Sequence, residues 1–214
     1  MEDSKETNTL DIRSNGLYPS NVLSNLCSNG FRFDGVVCNS MEGFLQSLKH
    51  KEKDKQLQLC SMKGGNARKR SVTSWQTDQI VWWKGQAIDR QSEAYQQLLR
   101  RAYQAMFDQS ERFRTALMQT RGMTLTHSSG EKNPFRTILT EDEFCGILME
   151  LRDNYDKRDK GLEIKKRHFV SVNGRLIEMT VMPEDYTTAP DDEIIRLGSS
   201  QFPDWESVLD YLGG

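Results

Sequence analysis

No run of apolar residues in this sequence approaches the ~20 that a membrane-spanning helix requires. The opening residues, MEDSKETNTLDIRSN, lack the basic-then-apolar order of a secretory leader. Both absences point to a cytoplasmic protein. The four cysteines (Cys27, Cys38, Cys60, Cys145) include no C-x-x-C pair, and His50, His127 and His168 lie far apart in the chain. No zinc pattern is present, so no metal is expected, and the thiols are read as reduced and mostly buried. Charge of one sign is also missing: 29 Lys and Arg stand against 31 Asp and Glu, for a net charge of −2. Such a balance gives no global pull on nucleic acid or an acidic membrane, and any polyanion site must be local.

What is present is regular spacing. Residues 1–22 are polar and read as a flexible lead-in. Phe31-Arg-Phe-Asp-Gly-Val-Val alternates around an Asp-Gly turn, which predicts a short strand pair. In SMEGFLQSLKH, Ser40 is placed to cap a helix whose Met41, Phe44, Leu45 and Leu48 fall on one apolar face. Glu42, Gln46 and Lys49 share a second face, about 120° round from the first, which puts a carboxylate, an amide and an ammonium along the edge of the core. Residues 51–74 are basic and Gly-containing. The following stretch to residue 91 holds Trp75, Trp82 and Trp83, and the whole of 51–91 reads as a loop or an insertion with some helix.

A long amphipathic helix is predicted from Ser92, burying Tyr95, Leu98, Leu99, Ala102 and Met106 or Phe107, and a shorter one follows Ser110. TLTHSSGEKNPFRTIL lacks helical period and reads as an irregular loop placed to bring His127 and Phe135 to a site. Thr140 and Glu143 form a T-x-x-E capping box ahead of Phe144, Ile147, Leu148 and Leu151. After the charged run RDNYDKRDKGLEIKKR the period changes to two, and HFVSV-NG-RLIEMTV predicts a type I′ hairpin. DWESVLDYLGG suggests a terminal helix. The fold class is therefore α+β, with a mainly helical domain over 23–152 and a β-rich appendage over 153–214.

The polar constellation of Ser24, Asn25, Glu42, Gln46 and Lys49, with Arg68-Lys69-Arg70 downstream, suits a phosphorylated ribosyl ligand. Spacing alone leaves open that Glu42 and Lys49 are a solvated pair. Yet Leu23-Ser24-Asn25-Leu26, Asp34-Gly35 and Glu42-x-x-x-Gln46-x-x-Lys49 together resemble the NADAR family, with its L-S-N-F motif, D-G turn and S-x-E-x-x-x-Q-x-x-K helix. YQQLLRRAYQAMFDQSERFRTALMQTRGMTL and GILMELR resemble the family's helix pair and its closing L-G-x-x-L-M-x-x-R.

The resemblance implies an N-glycosidase that hydrolyses a ribosyl C–N bond. It would remove ADP-ribose from modified guanine in DNA, as in phage-borne members that counter toxins, or act on a free phosphoribosyl nucleotide of riboflavin biosynthesis. No cofactor is implied, DNA contact would be transient, and a phage member would work in the host cytoplasm. Glu42 matches the family carboxylate, Lys49 the family lysine, and Ser24 and Asn25 its polar loop, with Gln46 beside them. Asp89 matches the aspartate of an R-x-D-W segment, or is a capping residue. Arg68 and Arg70 match a basic stretch, or form a solvated loop.

The departures are Arg90 in place of the tryptophan, Phe135-Arg136 nearest the later W-G, and Glu143 near the family asparagine. Phe135 could still stack on a base. These departures keep open a non-catalytic ADP-ribose-binding module, and residues 153–214 could dock a partner along the hairpin edge.

Overall fold

The computed structural model describes residues 8–163 and the strand segments 167–172, 175–180, 188–189, 192–193, 195–197 and 200–202, with side chains to residue 155. It divides into two compact units, Met1–Asp153 and Asn154–Gly214. The architecture is α+β. Up to residue 163 the order is β1 (Thr9–Asp11), α1 (Ser20–Leu23), β2 (Phe31–Phe33), β3 (Val36–Cys38), α2 (Met41–Ser47), α3 (Lys53–Cys60), α4 (Gly64–Arg68), a 3₁₀ turn (Ser74–Gln76), β4 (Ile80–Trp83), β5 (Gln86–Asp89), α5 (Glu93–Gln109), α6 (Glu111–Met118), β6 (Thr124–Thr126) and α7 (Glu141–Glu163).

The helices begin where short polar side chains supply the missing acceptors. Ser40 accepts from the Gly43 amide, Ser92 from Tyr95 and Ser110 from Phe113. The capping box of α7 is formed from both sides. The Thr140 amide donates to Glu143 Oε2 at 2.7 Å, and the Glu143 amide donates to Thr140 Oγ1 at 3.1 Å. The apolar face of α5 is buried as its spacing predicts, and Tyr103 joins it. Phe33, Phe44 and Trp83 form one aromatic cluster with centroids 5.1–5.7 Å apart, locking both hairpins onto α2.

Two regions depart from the sequence reading. The chain is not a loose lead-in up to residue 22. β1 pairs in parallel with β6, Leu10 opposite Leu125, and Ile12 is fully buried. A three-residue strand whose partner is distant in sequence carries too little local pattern to be recognised. Residues 51–91 contain the expected helix in α3, α4 and the 3₁₀ turn, but the tryptophan-rich stretch also forms a hairpin that the reading did not include: β4 pairs with β5, Trp83 opposite Gln86. Its two-residue turn, Lys84-Gly85, has φ of 52° and 86°, as the Asp34-Gly35 turn has 46° and 85°. Both turns use the left-handed pair that a type I′ hairpin demands, but only Asp-Gly advertises it.

In the second unit, β7 (Arg167–Val172) and β8 (Arg175–Thr180) pair antiparallel with Val170 opposite Ile177 and Val172 opposite Arg175. Asn173-Gly174 and the predicted terminal helix lie outside the described residues. β9 (Thr188–Ala189) pairs with β10 (Asp192–Glu193), and β11 (Ile195–Leu197) with β12 (Ser200–Phe202).

Candidate active site

The first unit contains a cavity of about 630 Å³, within the size range of small-molecule sites. One wall is α2. Its polar face and the turn after it bring Glu42, Gln46 and Lys49 to the cavity, while Met41, Phe44 and Leu48 are buried behind. Ser24 and Asn25, in the loop after α1, form the adjoining wall. That loop is fixed to α2 by the Glu42 amide, which donates to the Asn25 carbonyl at 3.0 Å. On its other side the loop touches α4 so closely that a Cβ at Gly64 would stand 2.5 Å from Leu26 Cα and from its carbonyl oxygen. Only glycine permits this approach, and it brings Arg68, at the end of α4, to the same cavity.

Each polar group at this wall has one end engaged and one end free. Gln46 Nε2 donates to Glu42 Oε1 at 2.8 Å. Since a carboxylate only accepts, this fixes the amide orientation. Gln46 Oε1 is then a buried acceptor with no partner among the described residues, on a side chain 6% exposed. A buried orphan of this kind costs on the order of 1–3 kcal/mol, which a ligand donor or a water would recover. The Tyr103 hydroxyl donates to Asn25 Oδ1 at 2.7 Å, leaving the Asn25 amide nitrogen to donate. Lys49 Nζ donates to Ser71 Oγ at 2.8 Å. Burial pulls the Lys49 ammonium down to about 8, partly opposed by the Glu42 charge.

The opposite side comes from the loop after β6, which the sequence reading expected to bring His127 to a site, and from segments that it did not single out. Arg13, Ser14 and Asn15 follow β1 and line the cavity. Arg13 Nε lies 2.6 Å from Asp11 Oδ2, and Nη2 donates to Ser128 Oγ at 2.8 Å. Ser128 in turn donates to Asp11 from Oγ (2.6 Å) and from its amide (2.9 Å), and these bonds hold the Asp11 carboxyl down at about 2. His127 and residues 137–140 complete the wall. The alternation of Leu10 and Ile12 was the only local sign that this segment is structured.

Three expected site residues stand elsewhere. Asp89 is exposed and belongs to the entry of α5: its Oδ1 accepts from the Gln91 amide at 2.7 Å and its carbonyl from Ser92 Oγ at 2.7 Å. This is the capping alternative, since an Asp two residues before an amide forms such a turn from local geometry alone. Arg70 is exposed, lies past the end of α4 and is not among the residues lining the cavity. Phe135 is 57% exposed and lies outside the cavity lining; its carbonyl accepts from Gln79 Nε2 at 3.1 Å. No group of three or more His, Cys, Asp or Glu side chains among the described residues is placed to hold a metal.

The departures at positions 90 and 143 prove to be partners. Arg90, 1% exposed, faces Glu143 with two parallel bonds, Nη1 to Oε1 at 3.0 Å and Nη2 to Oε2 at 2.7 Å. Arg90 Nε also donates to the Thr137 carbonyl at 3.1 Å, and its guanidinium lies 4.7 Å over the Tyr95 ring. The Tyr95 hydroxyl donates to the Ile138 carbonyl. Burial alone would raise the Glu143 carboxyl, but the Thr140 amide and Arg90 together hold it below the ordinary range. The pair thus anchors the 137–140 wall from behind.

The family described as bacteriophage protein GP30.3 matches residues 17–153, a stretch that ends where the first unit ends. A 17.1 kDa protein from the Gp30-rIII intergenic region of Enterobacteria phage T4, itself termed uncharacterised, is 36% identical over 148 residues. The match covers 68% of this chain and 97% of that protein. Among solved structures, the NMR structure of the E. coli protein YbiA is similar with a TM-score of 0.49 and 16% identity, over 72% of this chain and 88% of YbiA.

Proposed function

This chain belongs to the bacteriophage protein GP30.3 family, and on that premise we propose that its first unit is a NADAR-type N-glycosidase that hydrolyses a ribosyl C–N bond. The observation that carries the reading is Glu42, half-buried on the cavity wall, oriented by Gln46 and flanked by Ser24, Asn25 and Lys49. Breaking a ribosyl C–N bond builds positive charge on the sugar. A carboxylate fixed beside C1″ stabilises that charge and accepts a proton from the attacking water. The free Asn25 amide and the orphaned Gln46 Oε1 are a donor and an acceptor for ribose hydroxyls. Arg13, Lys49 and Arg68 are three cations suited to a diphosphate. In this reading Asp89, Arg70 and Phe135 have no direct role.

The substrate we propose is ADP-ribose linked to guanine in DNA, acted on in the cytoplasm of the infected cell and held by the modified base and the local cations, not by a strong field of the whole protein. A free phosphoribosyl nucleotide is the alternative within the same chemistry. The Arg90–Glu143 pair supports the cavity wall from behind and neither residue lines the cavity, so the departures at these two positions do not by themselves argue for mere binding.

The test offers purified protein an oligonucleotide carrying ADP-ribosylated guanine and follows released ADP-ribose by mass spectrometry. Glu42→Gln is expected to lower kcat by about 10²–10³. Absence of release by the wild type, or equal release by Glu42→Gln, rejects the proposal. Tight calorimetric binding of ADP-ribose without turnover of any of these substrates would make the protein a binding module.

A further inference from the structure

Among the ionisable groups that line the cavity is an imidazole that the family motifs do not supply. His127 lies on its wall, in the loop between β6 and α7, and its ring is held from several sides. Nδ1 is 2.7 Å from the Ile12 carbonyl oxygen. The ring meets Phe144 edge-on at 5.5 Å and 82°. The backbone beneath it is fixed by its own amide, which donates to Glu141 Oε1 at 2.9 Å. The following turn closes with the Gly130 amide donating to the His127 carbonyl at 2.6 Å. A Cβ at residue 130 would stand 2.9 Å from His127 Cδ2, so glycine is what lets the turn lie against the imidazole.

A carbonyl oxygen only accepts, so Nδ1 carries its hydrogen in both the neutral and the cationic ring. Proton exchange is thereby confined to Nε2, which has no hydrogen-bond partner among the described residues. A base oriented by a third group, with its working nitrogen free at a cavity, is the arrangement that proton-transfer catalysis needs.

We propose that His127 Nε2 is the acid that protonates the departing nitrogen, across the cavity from Glu42; this rests on the N-glycosidase reading above. The C1″–N bond breaks with its electron pair going to nitrogen, which takes the proton from the cationic ring. The water oxygen bonds to C1″ and passes a proton to the Glu42 carboxylate. That proton returns through solvent to His127, so one water is consumed, one N–H and one C–OH form, and both side chains are regenerated.

The test compares two substrates with the same ribosyl half. One is the ADP-ribosylated guanine oligonucleotide. The other is the 4-nitrophenyl glycoside of ADP-ribose, whose phenolate departs without needing a proton. His127→Ala is expected to lower kcat on the nitrogen-linked substrate by about 10²-fold or more with little change in KM, and on the nitrophenyl glycoside by less than about 5-fold. Added imidazole should restore part of the first rate. His127→Asn, whose amide can still donate to the Ile12 carbonyl, keeps the comparison valid if the alanine variant folds poorly, and should show the same discrimination. Equal losses on both substrates would overturn the role of His127 and leave the glycosidase reading standing. Wild type that turns over neither substrate overturns both.

Discussion

Removing Arg90 should be among the most damaging single changes in the first unit. Its guanidinium is buried and makes both parallel bonds to Glu143, so Arg90→Met leaves a carboxylate in a low-dielectric site with only the Thr140 amide and the Gln96 side chain as donors. Breaking one partner of such a pair costs about 3–5 kcal/mol. At about 2–4 °C per kcal/mol for a domain of this size, Tm should fall by roughly 6–20 °C. Glu143→Gln loses the same pair and weakens the capping box. The double variant should cost less than the sum of the singles by more than about 1 kcal/mol, because the two share one interaction.

The pH dependence of the pair has a definite sign. The Glu143 carboxyl is lowered on folding, so its contribution is fully present above the unfolded carboxyl value and fades as pH falls through the lower folded one. The Tm gap between wild type and Arg90→Met should therefore be wide at pH 7 and close in strong acid. Calorimetry and urea titration read all of this. A loss under about 1 kcal/mol for Arg90→Met, or additive singles, would refute the account of a coupled buried pair.

Two further predictions concern the cavity. Because burial holds Lys49 at about 8, an anionic ligand should bind the protonated form and take up a proton as pH passes through 8. Calorimetric affinity for ADP-ribose should fall up to tenfold per unit above that pH, and Lys49→Arg should remove the dependence; a flat profile for wild type would remove Lys49 from the anion site. In the ligand-free protein the unfolded lysine binds its proton more tightly, so stability should rise between about pH 8 and the ordinary lysine value. Gly64→Ala drives a methyl into the Leu26 backbone. It should cost about 1–3 kcal/mol and weaken ADP-ribose binding by shifting Ser24 and Asn25, whereas unchanged Tm and affinity would show that the loop yields freely.

The sequence was readable where its signals are local. Ser40 and the spacing of Met41, Phe44, Leu45 and Leu48 define α2, and that helix carries Glu42, Gln46 and Lys49 to one wall with Ser24, Asn25 and Arg68. The Asp-Gly turn and the Thr140–Glu143 box were equally legible. What could not be read depends on partners far along the chain. Arg13 reaches the cavity only because β1 pairs with β6. Arg90 and Glu143 lie 53 residues apart, and only the fold brings their side chains face to face. Asp89 stays ambiguous in sequence because a turn-capping aspartate and a ligand aspartate carry the same local pattern, and its side chain stands at the turn into α5.

The parallel pairing of Thr9–Asp11 with Thr124–Thr126 also dictates an order of assembly. During synthesis the first of these strands leaves the ribosome long before its mate exists, and the entropy of closing so large a loop must be met before the contact gives anything back. Helix α2 with Glu42 can form early from its neighbours, but Arg13 and His127 join it only at the end. A nascent chain stopped before residue 124 would therefore hold its carboxylate without the facing wall, and the complete cavity would arise as one of the last steps of maturation.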